Sequence, residues 1–232
     1  MAIGIDSNSP QNIAAQQNAG ASFNLTIGSG VSNPVLYVVV TVSDSGSPYE
    51  VTSVTYNSVA MQQVAASDPA SGAGLIAYLF RLKNPTADGA PHAVAVTLQG
   101  TPSSSWDAGA VCLTGVDQTT PEDVSGANQT SSAVTTLSVP LSTNFPNDWY
   151  IVGGTDQGGF STLALGDGAT QRWYTVFTGP AGEHIGGTKI LTSPGSISPT
   201  ITVGQGGCAL AMVAAAIKAA PSGQAPFFEL RW

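Results

Sequence analysis

The chain has 232 residues, of which only 9% are charged, and a formal net charge of -8; an average soluble domain carries roughly 25% charged residues. Its six Lys and Arg residues are scattered over the whole length and make no basic patch. That argues against nucleic acid and against an anionic membrane surface, both of which require clustered positive charge.

The opening "MAIGIDSNSPQ" has no basic n-region, apolar core or small-residue cleavage site. A β-rich chain of extracellular character without an export signal fits a virion protein, made in the host cytoplasm and released by lysis. "PQNIAAQQNAG" admits a turn or two of helix stopped at Gly20, so residues 1–21 are read as an N-terminal arm. Strand signals then follow in order: "SFNLTI", "VLYVVVTV", "VTSVTY", "LIAYLFRL", "HAVAVTL" and "AGAVCLTGV". They are short, rich in β-branched and aromatic residues, and separated by Gly, Pro, Asn, Asp and Ser. Phe23, Leu25 and Ile27, like Val94, Val96 and Leu98, alternate with other residues and define one buried face. "VLYVVVTV" does not alternate and predicts a central strand covered on both sides.

The second half repeats the rhythm with "VTTLSVPL", "DWYIVGGT", "ATQRWYTVF", "EHIGGTKIL", "PTITVG" and "CALAMVAAAIK". "LYVVV" matches "WYIVG", and the stretches ending at Pro121 and Pro221 correspond. The last run is Ala-rich, but its place in the repeat and the Pro221 that follows favour strand over helix. The expected fold is all-β: an antiparallel β-sandwich, jelly-roll or Ig-like, of about twelve strands in two pseudo-repeated halves. These halves are read as about 22–118 and 133–220 within a sandwich at 22–220. One sandwich shared by both halves is the first reading. Two tandem sandwiches divided at "DQTTPEDVSGANQTSSA" are the second.

Chemistry is sparse. His92 and His184 each begin a predicted strand, away from any nucleophile motif, and read as surface or strand-end residues. Asp44, Asp68, Asp107, Asp117, Asp148, Asp156 and Asp167 lie beside Gly, Ser, Pro or Asn in many cases and read as turn residues. Cys112 and Cys208 sit in or beside apolar runs and read as buried free thiols. No catalytic residue, metal site or cofactor is expected. Trp149 and Trp173 fall inside strand patterns and read as core. Trp106 follows "TPSSS" and reads as the best exposed aromatic for a partner.

"VTSVTYNSVAM", "LIAYLFRLKNP", "AGAVCLTGVDQTTP" and "GATQRW" together resemble a recurrent β-sandwich module of uncharacterised bacterial surface proteins and tailed-phage structural proteins. In that module a "VTYNGV"-like hairpin precedes a "YRLxNP" strand and an "AGAVSFTGVDQ" strand. The resemblance spans roughly residues 35–218, with Ser58 where Gly is common and Cys112 where Ser is common. It implies a fold and a display, adhesion or virion-surface role, with no catalytic residues to carry over.

The expected function is therefore a non-enzymatic virion structural protein, most plainly a phage capsid decoration or cement protein. Its partners would be the major capsid protein or neighbouring copies of itself in a homo-oligomer. The alternative is a glycan- or cell-surface-binding adhesin module of a tail or a bacterial surface. The tail at 221–232 carries the expected partner contacts. "PSGQAP" cannot continue a strand, whereas in an extended segment Phe228, Leu230 and Trp232 share one face and Phe227, Glu229 and Arg231 the other.

Overall fold

Period-two alternation and full apolar runs divide the strands into one-sided and two-sided kinds, and the layers follow from that division. The computed structural model describes residues 1–221 except 14–15, 17, 44–48, 68–73, 103–104, 158–161, 177–181 and 205. Asp44, Asp68 and the tail residues Phe227, Phe228, Leu230 and Trp232 thus lie outside the described residues.

The first half contributes β1 (Gly4–Ile5), β2 (Gln11–Asn12), β3 (Gly20–Thr26), β4 (Val35–Ser43), β5 (Val51–Tyr56), β6 (Val59–Ala60), β7 (Gln62–Ala66), β8 (Leu75–Lys83), β9 (Pro91–Leu98) and β10 (Ser105–Thr114). Its large sheet has the order β1-β10-β4-β8-β7, with β2 also on β10, and its small sheet the order β3-β9-β5-β6. The second half contributes β11 (Glu122–Val134), β12 (Thr136–Ser138), β13 (Leu141–Thr143), β14 (Trp149–Asp156), β15 (Leu163–Leu165), β16 (Thr170–Val176), β17 (Glu183–Ile190), β18 (Gly195–Ile197), β19 (Thr200–Val203) and β20 (Cys208–Ile217). Here the large sheet is β11-β20-β14-β17-β16, and the small ones are β12-β19-β15 and β13-β18. The protein is all-β, and the order β10-β4-β8-β7 recurs as β20-β14-β17-β16.

Three apolar cores show how these sheets stack. In β4, Leu36, Val38, Val40 and Val42 face a core shared with Leu25, Tyr56, Val94 and Val96 of the small sheet. Val35, Tyr37 and Val39 point the other way, into a core shared with Ile151, Ala211, Val213 and Ala215 of the second large sheet. In β20, Leu210, Met212 and Ala214 face a third core with Leu137, Leu163 and Ile201. All nine β4 residues are buried, as the two-sided reading requires, and each such aliphatic side chain stabilises the fold by roughly 1.5–3 kcal/mol.

Each half closes its own sandwich, and the two large sheets then pack face to face, making four layers. Small residues permit that contact. A Cβ on Gly109 or on Gly186 would fall inside the Trp173 indole, and one on Gly153 would collide with Val39. Polar links add to it: Arg81 of β8 pairs with Glu122 of β11, and the Tyr37 hydroxyl donates to the same carboxylate at 2.8 Å.

Among the described residues there are twenty strands where about twelve are expected, and most of the additional ones are two- or three-residue pairings that leave no apolar pattern to read. The described residues of the arm include two short strands and an isolated bridge, all on β10, and no helix. Ile5 pairs with Leu113, Gln11 with Ala110 and Asn12 with Gly109, and Gln16 bridges to Trp106. Between β1 and β2, Ser9 Oγ accepts the Cys112 N–H at 2.9 Å. The polar segment read as a domain boundary is largely β11, which occupies the matching edge of β20. In the β5–β6 hairpin Asn57 and Ser58 both have positive φ, 48° and 64°. Ser58 thus occupies a left-handed position that costs a non-glycine residue about 1 kcal/mol, at the place where the resembling module commonly has Gly.

Candidate functional site

Trp106 is not an exposed contact. It is fully buried in the first sandwich, where its Nε1 donates to the Asn18 carbonyl at 2.8 Å. The flanking "TPSSS" has loop composition, but β10 begins at Ser105 and its even-numbered residues face the core. Trp149 and Trp173 are core residues, as their strand positions indicate.

The two histidines sit in different environments. His92 lies near the surface, 3.0 Å from Asp88 and edge-on to Tyr56. His184 is buried between the two large sheets, a correction to its reading as a surface residue. Its Nδ1 shares a 2.6 Å hydrogen bond with Thr41 Oγ1, and burial lowers its pKa to about 3. Strand register gathers Thr41, Ser105, Asp107, Thr155 and Thr175 around it. This end of the interface is polar, whereas the end at Ile3, Val35, Leu113, Trp149 and Ile217 is apolar.

Three aspartates read as turn residues are buried instead. Asp107 lies within β10, and neither of its oxygens has a well-formed hydrogen bond. Burial raises its pKa to about 7, opposed by the nearby Thr175 side chain and the Ala108 N–H. Asp156 accepts the Glu183 N–H, and desolvation carries it to about 6. Asp148 has no exposed surface and no partner for either oxygen. Desolvation, then the Asp123 charge, raises it to about 7 against the pull of Lys218. Asp117 does behave as a turn residue, capping the N–H groups of Thr119 and Thr120. Asp167 has φ 54° and pairs with Lys189 at 3.0 Å. "SWDAGAV" carried the signal for Asp107, since an acid between Trp and Ala inside an apolar run is a strand position. Among the described residues no group of three or more His, Cys, Asp or Glu is placed to share a metal ion.

Cys112 and Cys208 are free thiols in different sandwiches. Cys112 is fully buried and Cys208 partly so. Desolvation raises both thiols, Cys208 to about 11 with help from Asp156. The reactive thiolate is therefore scarce at both positions. A thiol reagent at neutral pH should modify neither quickly in the native protein and both in denaturant. Fast native labelling of Cys112 would contradict this packing.

The surface feature of note is a cavity of about 800 Å³ at the apolar end of the interface. Its lining includes Met1, Phe145, Trp149, Ile190, Lys218 and Pro221, with Asp148 at its floor. Met1, Phe145 and Ile190 are 54%, 47% and 57% exposed, and they are three of the five large exposed hydrophobics among the described residues. The Lys218 ammonium lies 5.3 Å from the Phe145 ring centroid and donates to Thr120 Oγ1 at 2.6 Å. This arrangement offers apolar contact with one basic side chain, Lys218, and two acids, Asp117 and Asp148, on its lining. Grouped exposed hydrophobics of this kind mark interaction surfaces.

Fold and surface together define an all-β protein of face-packed antiparallel sheets in sandwich-like layers, with a partly apolar cavity at one end of the interface. No family model, curated protein or solved structure matches the chain.

Proposed function

We propose that the protein is a non-enzymatic structural component of a virus particle, a capsid decoration protein of a tailed phage that stabilises the shell through subunit contacts. The observation that carries this reading is the cavity. It gathers exposed Met1, Phe145 and Ile190 around Pro221, the residue from which the chain continues toward Phe227, Phe228, Leu230 and Trp232. Apolar surface on both sides of that point suits a contact with other subunits. The resemblance to phage and bacterial surface modules supports the same class, and the sparse, negative charge suits a protein exposed at high copy number. The groups at the polar end of the interface, among them Asp107 and His184, are buried away from the surface, which suits a part in the scaffold. The glycan-binding alternative loses its leading aromatic, because Trp106 is internal.

The test is co-sedimentation of the purified chain with empty tailed-phage capsids and, separately, with bacterial surface polysaccharide. Saturable binding to capsids, together with a raised temperature of shell rupture, is the expected result. Binding to polysaccharide alone would replace the virion reading with the adhesin one.

A further inference from the structure

Most large apolar side chains of this protein are inside its three cores, so an open cavity ringed by Met1, Phe145 and Ile190 calls for an occupant. Beyond Pro221 the sequence supplies eleven further residues, "SGQAPFFELRW", with four large apolar side chains in the last six. We propose that the cavity receives residues 227–232 of a second copy of this chain, and that two copies exchange these segments reciprocally. This deepens the assembly role proposed above and rests on it.

Three observations favour a second copy. The first is where the segment starts. Pro221 itself lines the cavity, so for the segment to enter its own cavity it must reverse within six residues. Pro221 and Pro226 oppose that reversal, since each fixes its own φ and biases the residue before it toward extended backbone. The second is reach. Six residues span up to about 20 Å, enough to cross from one rim to another when two rims face each other. Donor and acceptor then lie on the same face of each molecule, which is what a two-fold, self-closing contact needs. The third is chemistry. An extended segment presents Phe228, Leu230 and Trp232 on one face, matching the apolar lining. Glu229 and Arg231 are available to Lys218 and Asp117, which also line the cavity.

The experiment is a cysteine pair in the full chain, Ile190→Cys with Leu230→Cys, mildly oxidised and run without reductant beside each single variant. Ile190 is exposed, so its replacement leaves the cores intact. A covalent dimer formed by the pair, lost on reduction and absent from both single variants, is the expected result. A link within one monomer would show that the segment closes on its own chain and would overturn the proposal, as would no link at all. As a second measurement, Ile190→Glu should weaken self-association about ten- to a hundredfold in sedimentation velocity, the loss of one buried aliphatic side chain, with an unchanged thermal melt. An unchanged association constant would also overturn it. Running the same variants in the capsid assay separates the two claims. Exchange without capsid binding removes the virion reading alone, and capsid binding by a chain that never links removes the exchange alone.

Discussion

Replacing Trp173 by alanine is expected to destabilise the protein by about 3–5 kcal/mol, the range for deleting a buried aromatic. The indole belongs to β16 of the second half, yet it lies in the core between the two large sheets. It covers Gly186 on its own sheet and Gly109 on β10 of the first half, at both of which a Cβ would overlap its ring atoms. Gly109→Ala should therefore also be costly, on the order of 1–3 kcal/mol or more from overpacking. The two changes are not independent, because the alanine methyl at 109 collides with the side chain that the other change removes. In the Trp173→Ala background, Gly109→Ala should lose most of its effect, which a double-mutant cycle by urea unfolding measures as a coupling energy. Additive costs would mean that the indole does not sit against Gly109.

The second large effect concerns pH. Asp107 and Asp156 have folded-state pKa values raised to about 7 and about 6 by desolvation, from an unfolded value near 3.9. A raised acid binds its proton more tightly when folded, so its contribution is fully favourable below the unfolded pKa. It is lost as pH climbs from about 4 to the folded value. At about 1.36 kcal/mol per pH unit, the two together cost roughly 7 kcal/mol at pH 8 relative to pH 4. Asp148, whose carboxyl is raised by desolvation and by the Asp123 charge, acts in the same direction. His184 opposes them. Its folded pKa is depressed to about 3, so it costs nothing above about 6.5 and progressively more as pH falls toward 3. The sum of Asp107, Asp156 and His184 gives maximal stability near about pH 4, exceeding that at pH 8 by a few kcal/mol. Chemical denaturation at pH 5 and pH 8 measures it, and Asp107→Asn should raise stability at pH 8 and flatten the slope. Stability that grows from pH 5 to pH 8 would contradict the burial of Asp107.

Strand existence was legible because apolar periodicity is a local property. The runs at Val35–Ser43 and Cys208–Ile217 even carried their two-sided burial in unbroken hydrophobicity. What periodicity does not encode is which sheet supplies the second cover. The small residues of the interface, Gly109, Gly153, Gly186 and the alanines of β20, read locally as poor strand formers, and only their apposition to Trp173 and Val39 explains them. Edge strands were missed for a related reason. β7 and β11 have mixed, partly exposed faces, and their stability comes from backbone ladders that any side chain permits. Asp107, Asp148 and Asp156 resembled turn residues because composition beside an acid says nothing of depth. Trp106 was assigned to the surface by its neighbours, although its own alternation with Ala108, Ala110 and Cys112 placed it inside. The cavity at Pro221 is legible in no single stretch, since its lining comes from both halves.

The strand pairings have a consequence for synthesis. Among the described residues, every ladder of β1–β10 stays within the first half and every ladder of β11–β20 within the second, with the isolated bridge between Val116 and Ala219 as the exception. The first half can therefore complete its strand ladders while the second is still being translated at roughly 5–20 residues per second. During those seconds Val35, Tyr37, Val39, Leu79 and Val111 present a bare apolar sheet face to solvent. The nascent chain is thus most prone to aggregate in the interval before β20 arrives, and slower translation of the second half would lengthen it.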